Sequence, residues 1–121
     1  MNKDTAISFL RLVVSGKVQE ASDKCVASGL RHHNPYFRGD AQSFKVAMQD
    51  DETTHPHKIF DVQHALEDGD FVAVHSCLRM NPGDIGMSVV HIFRFVDNKI
   101  VEFWDIAQKL PENSPNHNGA F

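Results

Sequence analysis

The stretch MSVVHIFRFVDNKIVEFWDIAQ, residues 87–108, decides the fold. Apolar residues recur at every second place on both sides of the turn signal VDNK, which is the signature of two strands joined by a tight turn. Residues two apart on a strand share a face, so each strand can be divided without a structure. On the first, Met87, Val89, His91, Phe93 and Phe95 fall together. On the second, Val101, Phe103, Asp105 and Ala107 oppose Ile100, Glu102, Trp104 and Ile106.

Reading toward the N-terminus extends the pattern. FVAVHSCLRM, residues 71–80, is a further strand, placing Phe71, Ala73, His75, Cys77 and Arg79 opposite Val72, Val74, Ser76 and Leu78. KIFDVQHALE, residues 58–67, alternates as well, with Phe60, Val62, His64 and Leu66 on one face and EDGD as the turn that follows. The first half of the chain has a helical period instead. DTAISFLRLVVSG carries a stripe of Ile7, Leu10 and Val14 with Phe9 and Val13 beside it, with Asp4 or Thr5 expected as N-cap and Gly16 as stop. VQEASDKCVAS is read as a second helix ending at Gly29, and DAQSFKVAMQ as a third, capped by Asp40. Between them LRHHNP must be extended, because Pro35 disfavours helix at Asn34. Three helices, one early strand and an antiparallel meander of four strands make an α+β domain, taken as one unit over residues 1–121 with an irregular tail from about residue 110. A strongly twisted sheet covered by helices on one face curls into a half-cone, and a cone has an interior.

Three strands each combine apolar bulk with one titratable group on a single face: His75, His91 and Asp105. That is the composition of a ligand pocket, with Phe71, Phe93 and Phe103 as apolar walls and a few polar groups converging. Three buried polar groups would each need a partner, and Asp105 is a natural one for His91. The remaining faces are apolar too, through Val72, Val74, Leu78, Ile100, Trp104 and Ile106, so a second copy of the chain is expected to cover the outside of the sheet.

Composition narrows the function classes. With 12 basic and 16 acidic residues the net charge is −4, and no Lys/Arg run offsets it, which argues against a nucleic-acid surface. No stretch approaches the roughly 20 apolar residues that cross a bilayer, and a cytoplasmic location is expected, with Cys25 and Cys77 as free thiols. The His55 and His57 pair lies in a polar loop without a third ligand at strand or helix spacing, so no metal site is expected. Nucleophilic-serine and phosphate-loop motifs are absent.

HNP at 33–35, DGDFVAVHS at 68–76 and VVHIFRFVDNKIVEFWDIAQKLPE at 89–112, with the tail ending NGAF, resemble the SnoaL-like polyketide cyclase branch of the nuclear transport factor 2-like superfamily. The resemblance implies a cone-shaped α+β barrel with a deep pocket, usually dimeric through the outer sheet face. It further implies cofactor-independent acid/base chemistry, an intramolecular aldol condensation in the cyclases and other proton transfers in related isomerases and epoxide hydrolases. By the same resemblance His91 stands where the cyclases place an acidic catalytic residue, His33 and Asn34 precede Pro35 where isomerase-like relatives carry a base, and Phe9 replaces a tyrosine. The expected site is therefore His91 as acid/base, Asp105 as its orienting charge, and His75 with His33 or Asn34 polarising a substrate oxygen. Strand alternation admits only one of His33 and Asn34 to the interior. The alternative reading is a non-catalytic small-molecule-binding or dimer-scaffold protein built on the same cone.

Overall fold

A computed structural model describes all residues, Met1–Phe121. Three helices, α1 (Asn2–Val14), α2 (Val18–Cys25) and α3 (Ala41–Thr54), accompany five strands, β1 (Val26–His32), β2 (Ile59–Asp68), β3 (Phe71–Arg79), β4 (Met87–Val96) and β5 (Lys99–Lys109). The strands form one sheet in the order β1-β5-β4-β3-β2, with β1 parallel to β5 and every other pair antiparallel. No helix is long and apolar enough to cross a membrane.

The helices follow the sequence with three adjustments. α1 begins at Asn2, and neither Asp4 nor Thr5 caps it; Glu67 of β2 accepts from the Lys3 N–H at 2.7 Å and supplies the negative charge a helix N-terminus favours. Gly16 does end this segment, in the left-handed region at φ 84, with Glu52 packed so close that a β-carbon there would lie 2.8 Å from its Cγ. α2 stops at Cys25 rather than Gly29, because Val26 already pairs with Ile100 of β5, and parallel pairing outweighs the weak helix preference of VAS. Gly29, at φ 80, instead sits in the register shift between Val26 and Arg31. α3 has the expected cap, Asp40 accepting from the Ser43 N–H at 3.0 Å, but runs five residues beyond Gln49. The acidic last turns are tolerated because Lys58, whose side chain is 4% exposed, meets Asp51 at 2.6 Å and Glu52 at 3.5 Å.

One face of the sheet carries the core. Phe9 of α1 is central, with ring centroids 5.9 Å from Phe44, 5.8 Å from Phe93 and 6.0 Å from Phe103. Ala6, Leu10 and Val13 extend this contact along α1, and Val72, Val74, Phe95 and Ile100 extend it across the sheet. Fully buried aromatic rings in offset and edge contact contribute both burial and a directional preference, which seats α1 against α3 and the inner sheet face.

The assignment of strand faces differs from the sequence expectation at three places, each traceable to register. β3 turns Val72, Val74 and Ser76 inward, all with no exposed surface, and therefore turns Phe71 and His75 outward. β4 sets His91 opposite Val74, not His75, because the connection at residues 80–86 fixes which alternate set of β3 shares the inner face. In β2 a register shift between Val62 and His64 reverses the alternation, so Phe60, Val62 and Ala65 face the core while His64 and Leu66 face out. In β5, Val101 is the extra residue of a bulge, and Ile100 joins Phe103 inside rather than Trp104 outside.

Candidate active site on the inner sheet face

The register of β4 and β5 places His91 directly across from Asp105, two pairs along the ladder from Phe93 and Phe103 and on the same face. His91 Nε2 lies 3.6 Å from Asp105 Oδ1, and the two side chains are 13% and 22% exposed, so both are sheltered yet reachable. The second carboxylate oxygen is held from the other side. Asn34 Nδ2 donates to Asp105 Oδ2 at 2.8 Å, while Asn34 Oδ1 accepts from the Tyr36 N–H at 2.9 Å. Both ends of the amide are thus committed, which fixes its orientation through the hydrogen-bond network. The turn that makes this possible follows from Pro35, which ends the extended segment and lets Asn34 bridge to the backbone two residues on.

Electrostatics favour a neutral imidazole. Burial pushes the His91 pKa below its usual value of 6.5, and the nearby Asp105 charge pulls upward without reversing that. The desolvation cost of an imidazolium here exceeds the gain from one partly exposed carboxylate. A neutral imidazole beside an anchored carboxylate is a proton acceptor whose conjugate acid has a ready counter-charge. Phe93 stacks beneath His91 at 6.0 Å and 14° and restricts how the ring can turn.

Of the two residues competing for the interior, Asn34 faces in and His33 faces out. His33 Nε2 meets Glu102 Oε2 at 2.7 Å, and its ring stacks on Trp104 at 5.0 Å and 8°. Arg31 and Arg94 hold the same carboxylate at 3.0 and 3.1 Å, and together these partners, the His33 bond first, keep Glu102 below the usual carboxylate range. His75, expected beside His91, also lies on the outer face: it stacks on His64 at 5.4 Å and on Phe121 at 5.6 Å, and its Nε2 is 2.9 Å from Ser88 Oγ. Phe71 is there as well, 44% exposed and 6.3 Å from Trp104.

Phe9, Phe93 and Phe103 occupy the interior, but as core: they are 2%, 0% and 1% exposed and pack on one another rather than around a chamber. Two surface hollows, of about 630 and 420 Å³, open along α1 and along α3, and neither is lined by His91 or Asp105. His55 turns toward Asp51 at 3.2 Å.

Two interior polar residues escaped the sequence reading. His32 is 5% exposed, bonded through Nε2 to the Arg38 carbonyl and stacked on Phe103 at 5.7 Å; the alternation that brings Asn34 inside carries His32 with it. Ser76 is fully buried on β3, and no sequence signal separates it from a small core residue.

A family model for the SnoaL-like domain matches residues 6–103. The chain belongs to that family. No curated protein matches the sequence. Among solved structures, this SnoaL-like chain is similar to wild-type IdmH of Streptomyces antibioticus, a candidate polyketide cyclase, at 20% identity and TM-score 0.70 over 88% of this chain and 91% of that one. A candidate polyketide cyclase of Acidithiobacillus ferrooxidans is similar at 24% identity and TM-score 0.68, covering 88% and 87%. A candidate SnoaL-like isomerase of Agrobacterium tumefaciens is similar at 10% identity and TM-score 0.73, covering 88% and 97%. An NTF2-like protein of Cytophaga hutchinsonii shares the architecture at TM-score 0.71 and 13% identity, covering 89% and 90%, which confirms the α+β, NTF2-like fold.

Proposed function

We propose that this SnoaL-like protein is a cofactor-independent acid/base enzyme of the cyclase or isomerase type, moving a proton next to a carbonyl or closing an aldol bond in a small, largely apolar substrate. The observation that carries this reading is the chain Asn34–Asp105–His91 on the inner face, with one carboxylate oxygen anchored at 2.8 Å and the other facing the imidazole at 3.6 Å. In that arrangement neutral His91 takes the proton, Asp105 stabilises the imidazolium that results, and Asn34 keeps the carboxylate from turning away. His75 and His33 have no part in it, since both face outward. The second reading, a non-catalytic binding or scaffold protein, is favoured by the close packing of Phe9, Phe93 and Phe103 next to the site.

Pairing of two copies through the outer sheet face belongs to the same proposal. Leu66, Phe71 and Ile106 are 70%, 44% and 57% exposed on that face, apolar side chains that a second copy would cover.

Deuterium exchange at carbon separates the two readings. The protein is incubated in D2O with a panel of cyclic ketones and 1,3-dicarbonyl compounds, and label uptake beside the carbonyl is followed by mass spectrometry. Catalysed exchange that falls about 100-fold or more in His91→Ala supports the enzyme reading, that being the usual scale for a positioned acid/base group. Binding of a panel member with exchange no faster than in buffer supports the scaffold.

A further inference from the structure

Three buried side-chain polar atoms have no hydrogen-bonding partner within the protein: Glu52 Oε2, Ser76 Oγ and His91 Nδ1. Glu52 at least has the charge of Lys58 at 3.5 Å. The other two lie on the same inner sheet face and on neighbouring strands. His91 is opposite Val74, and Ser76 is opposite Val89, so Ser76 stands diagonally across the β3–β4 pair from His91. Diagonal neighbours on one face lie within reach of a long side chain. The other inward residues beside it on β3, Val72, Val74 and Leu78, are apolar, leaving Ser76 as the one polar side chain that β3 offers to His91.

The chemistry of the two orphans is complementary. Nε2, on the Asp105 side, is the nitrogen placed to take a proton, so in the neutral ring the proton sits on Nδ1, a buried N–H in need of an acceptor. A serine hydroxyl oxygen is such an acceptor, and in an otherwise apolar surround it has few alternatives. Leaving both unpaired is costlier than joining them. We propose that Ser76 is a positioning residue for His91: its hydroxyl oxygen accepts from Nδ1–H, on rotation about χ1 or through one bridging water, and so fixes the tautomer that leaves the Nε2 lone pair free to take a proton beside Asp105. Asn34, Asp105, His91 and Ser76 then form one continuous polar line across β5, β4 and β3, laid on the aromatic core.

This inference rests on the reading of His91 as the proton-exchanging group, but its test needs no turnover. Nitrogen-15 spectra of the histidine rings report tautomer and titration of His91 directly, in the wild type and in Ser76→Ala. A hydroxyl oxygen accepting from Nδ1–H supports the imidazolium more than the neutral ring, so its removal should move the Nδ1 resonance and lower the proton affinity of His91 by about two- to tenfold, the scale of one net hydrogen bond. A serine that merely fills space gives the opposite pattern: Ser76→Ala removes an unpaired buried hydroxyl, the protein becomes more stable to urea, and the His91 spectrum stays as it was. That result overturns the proposal. A rise in proton affinity overturns it as well, since it would make the hydroxyl a donor to a neutral Nδ1. Ser76→Cys, similar in size and a weak acceptor, serves if the alanine variant does not fold, with the same direction and a smaller shift. Loss of label exchange in His91→Ala with no response of His91 to Ser76→Ala would leave the acid/base reading standing and remove Ser76 from it.

Discussion

Replacing Asp105 with Asn removes one charge and little else. The amide keeps the shape of the carboxylate, and its oxygen can still accept from Asn34 Nδ2, so the anchoring contact at 2.8 Å survives. What is lost is the attraction between a carboxylate oxygen and the His91 ring at 3.6 Å. At that separation two unit charges interact by about 1 kcal/mol in water and by about 4 to 5 kcal/mol at an effective dielectric near 20. The side chains, 13% and 22% exposed, lie between these limits. The proton affinity of His91 should therefore drop by at least about tenfold in Asp105→Asn, adding to the depression that burial already causes. The assay is a titration of the His91 ring by NMR in both proteins. An identical titration would show that the charge on Asp105 does not act on His91, and the acid/base arrangement would lose its support.

A histidine whose pKa is lowered on folding takes up protons more readily when the chain is unfolded, so its contribution to stability is complete above about pH 6.5 and is lost as pH falls below that value. Urea unfolding should show stability declining on acidification, with a shallower decline in His91→Leu; equal slopes would contradict the assignment. Phe9→Ala empties the centre of the aromatic cluster and should cost about 3–5 kcal/mol in the same experiment, whereas a loss below about 1 kcal/mol would mean the cluster is loosely packed. Sedimentation at micromolar concentration should give a dimer, with Ile106→Asp shifting it to monomer, and a wild-type monomer would refute pairing through the outer face.

The elements were legible because each has a strong local pattern: alternation from Ile59 to Lys109, and helix caps such as Asp40. What alternation alone does not carry is how one strand's faces align with the next. The turn at Asp97 and Asn98, both at positive φ, closes β4 on β5 tightly, yet the turn alone would set His91 opposite Trp104; the bulge at Val101 moves it to Asp105. Grouping His91 with Asp105 succeeded because each shares its face with a phenylalanine, Phe93 beside His91 and Phe103 beside Asp105, and the bulge brings those two faces together. The same reasoning failed on β3, where both faces look alike: Phe71, Ala73, His75 and Cys77 against Val72, Val74, Ser76 and Leu78. The outcome there depends on the connection at residues 80–86, a tertiary constraint. Asn34 was half legible, since alternation admits one of His33 and Asn34, and only Glu102 and Trp104 on the outer face determine that His33 is the one drawn away.

The central claim, that neutral His91 exchanges a proton beside the anchored Asp105, is tested most directly by following the pH dependence of catalysed deuterium exchange alongside the NMR titration of His91 in the same protein. The exchange rate should rise with pH along the same curve on which His91 loses its proton, and both curves should move together to lower pH in Asp105→Asn. Catalysed exchange whose pH profile ignores the titration of His91 would place the chemistry elsewhere in the molecule.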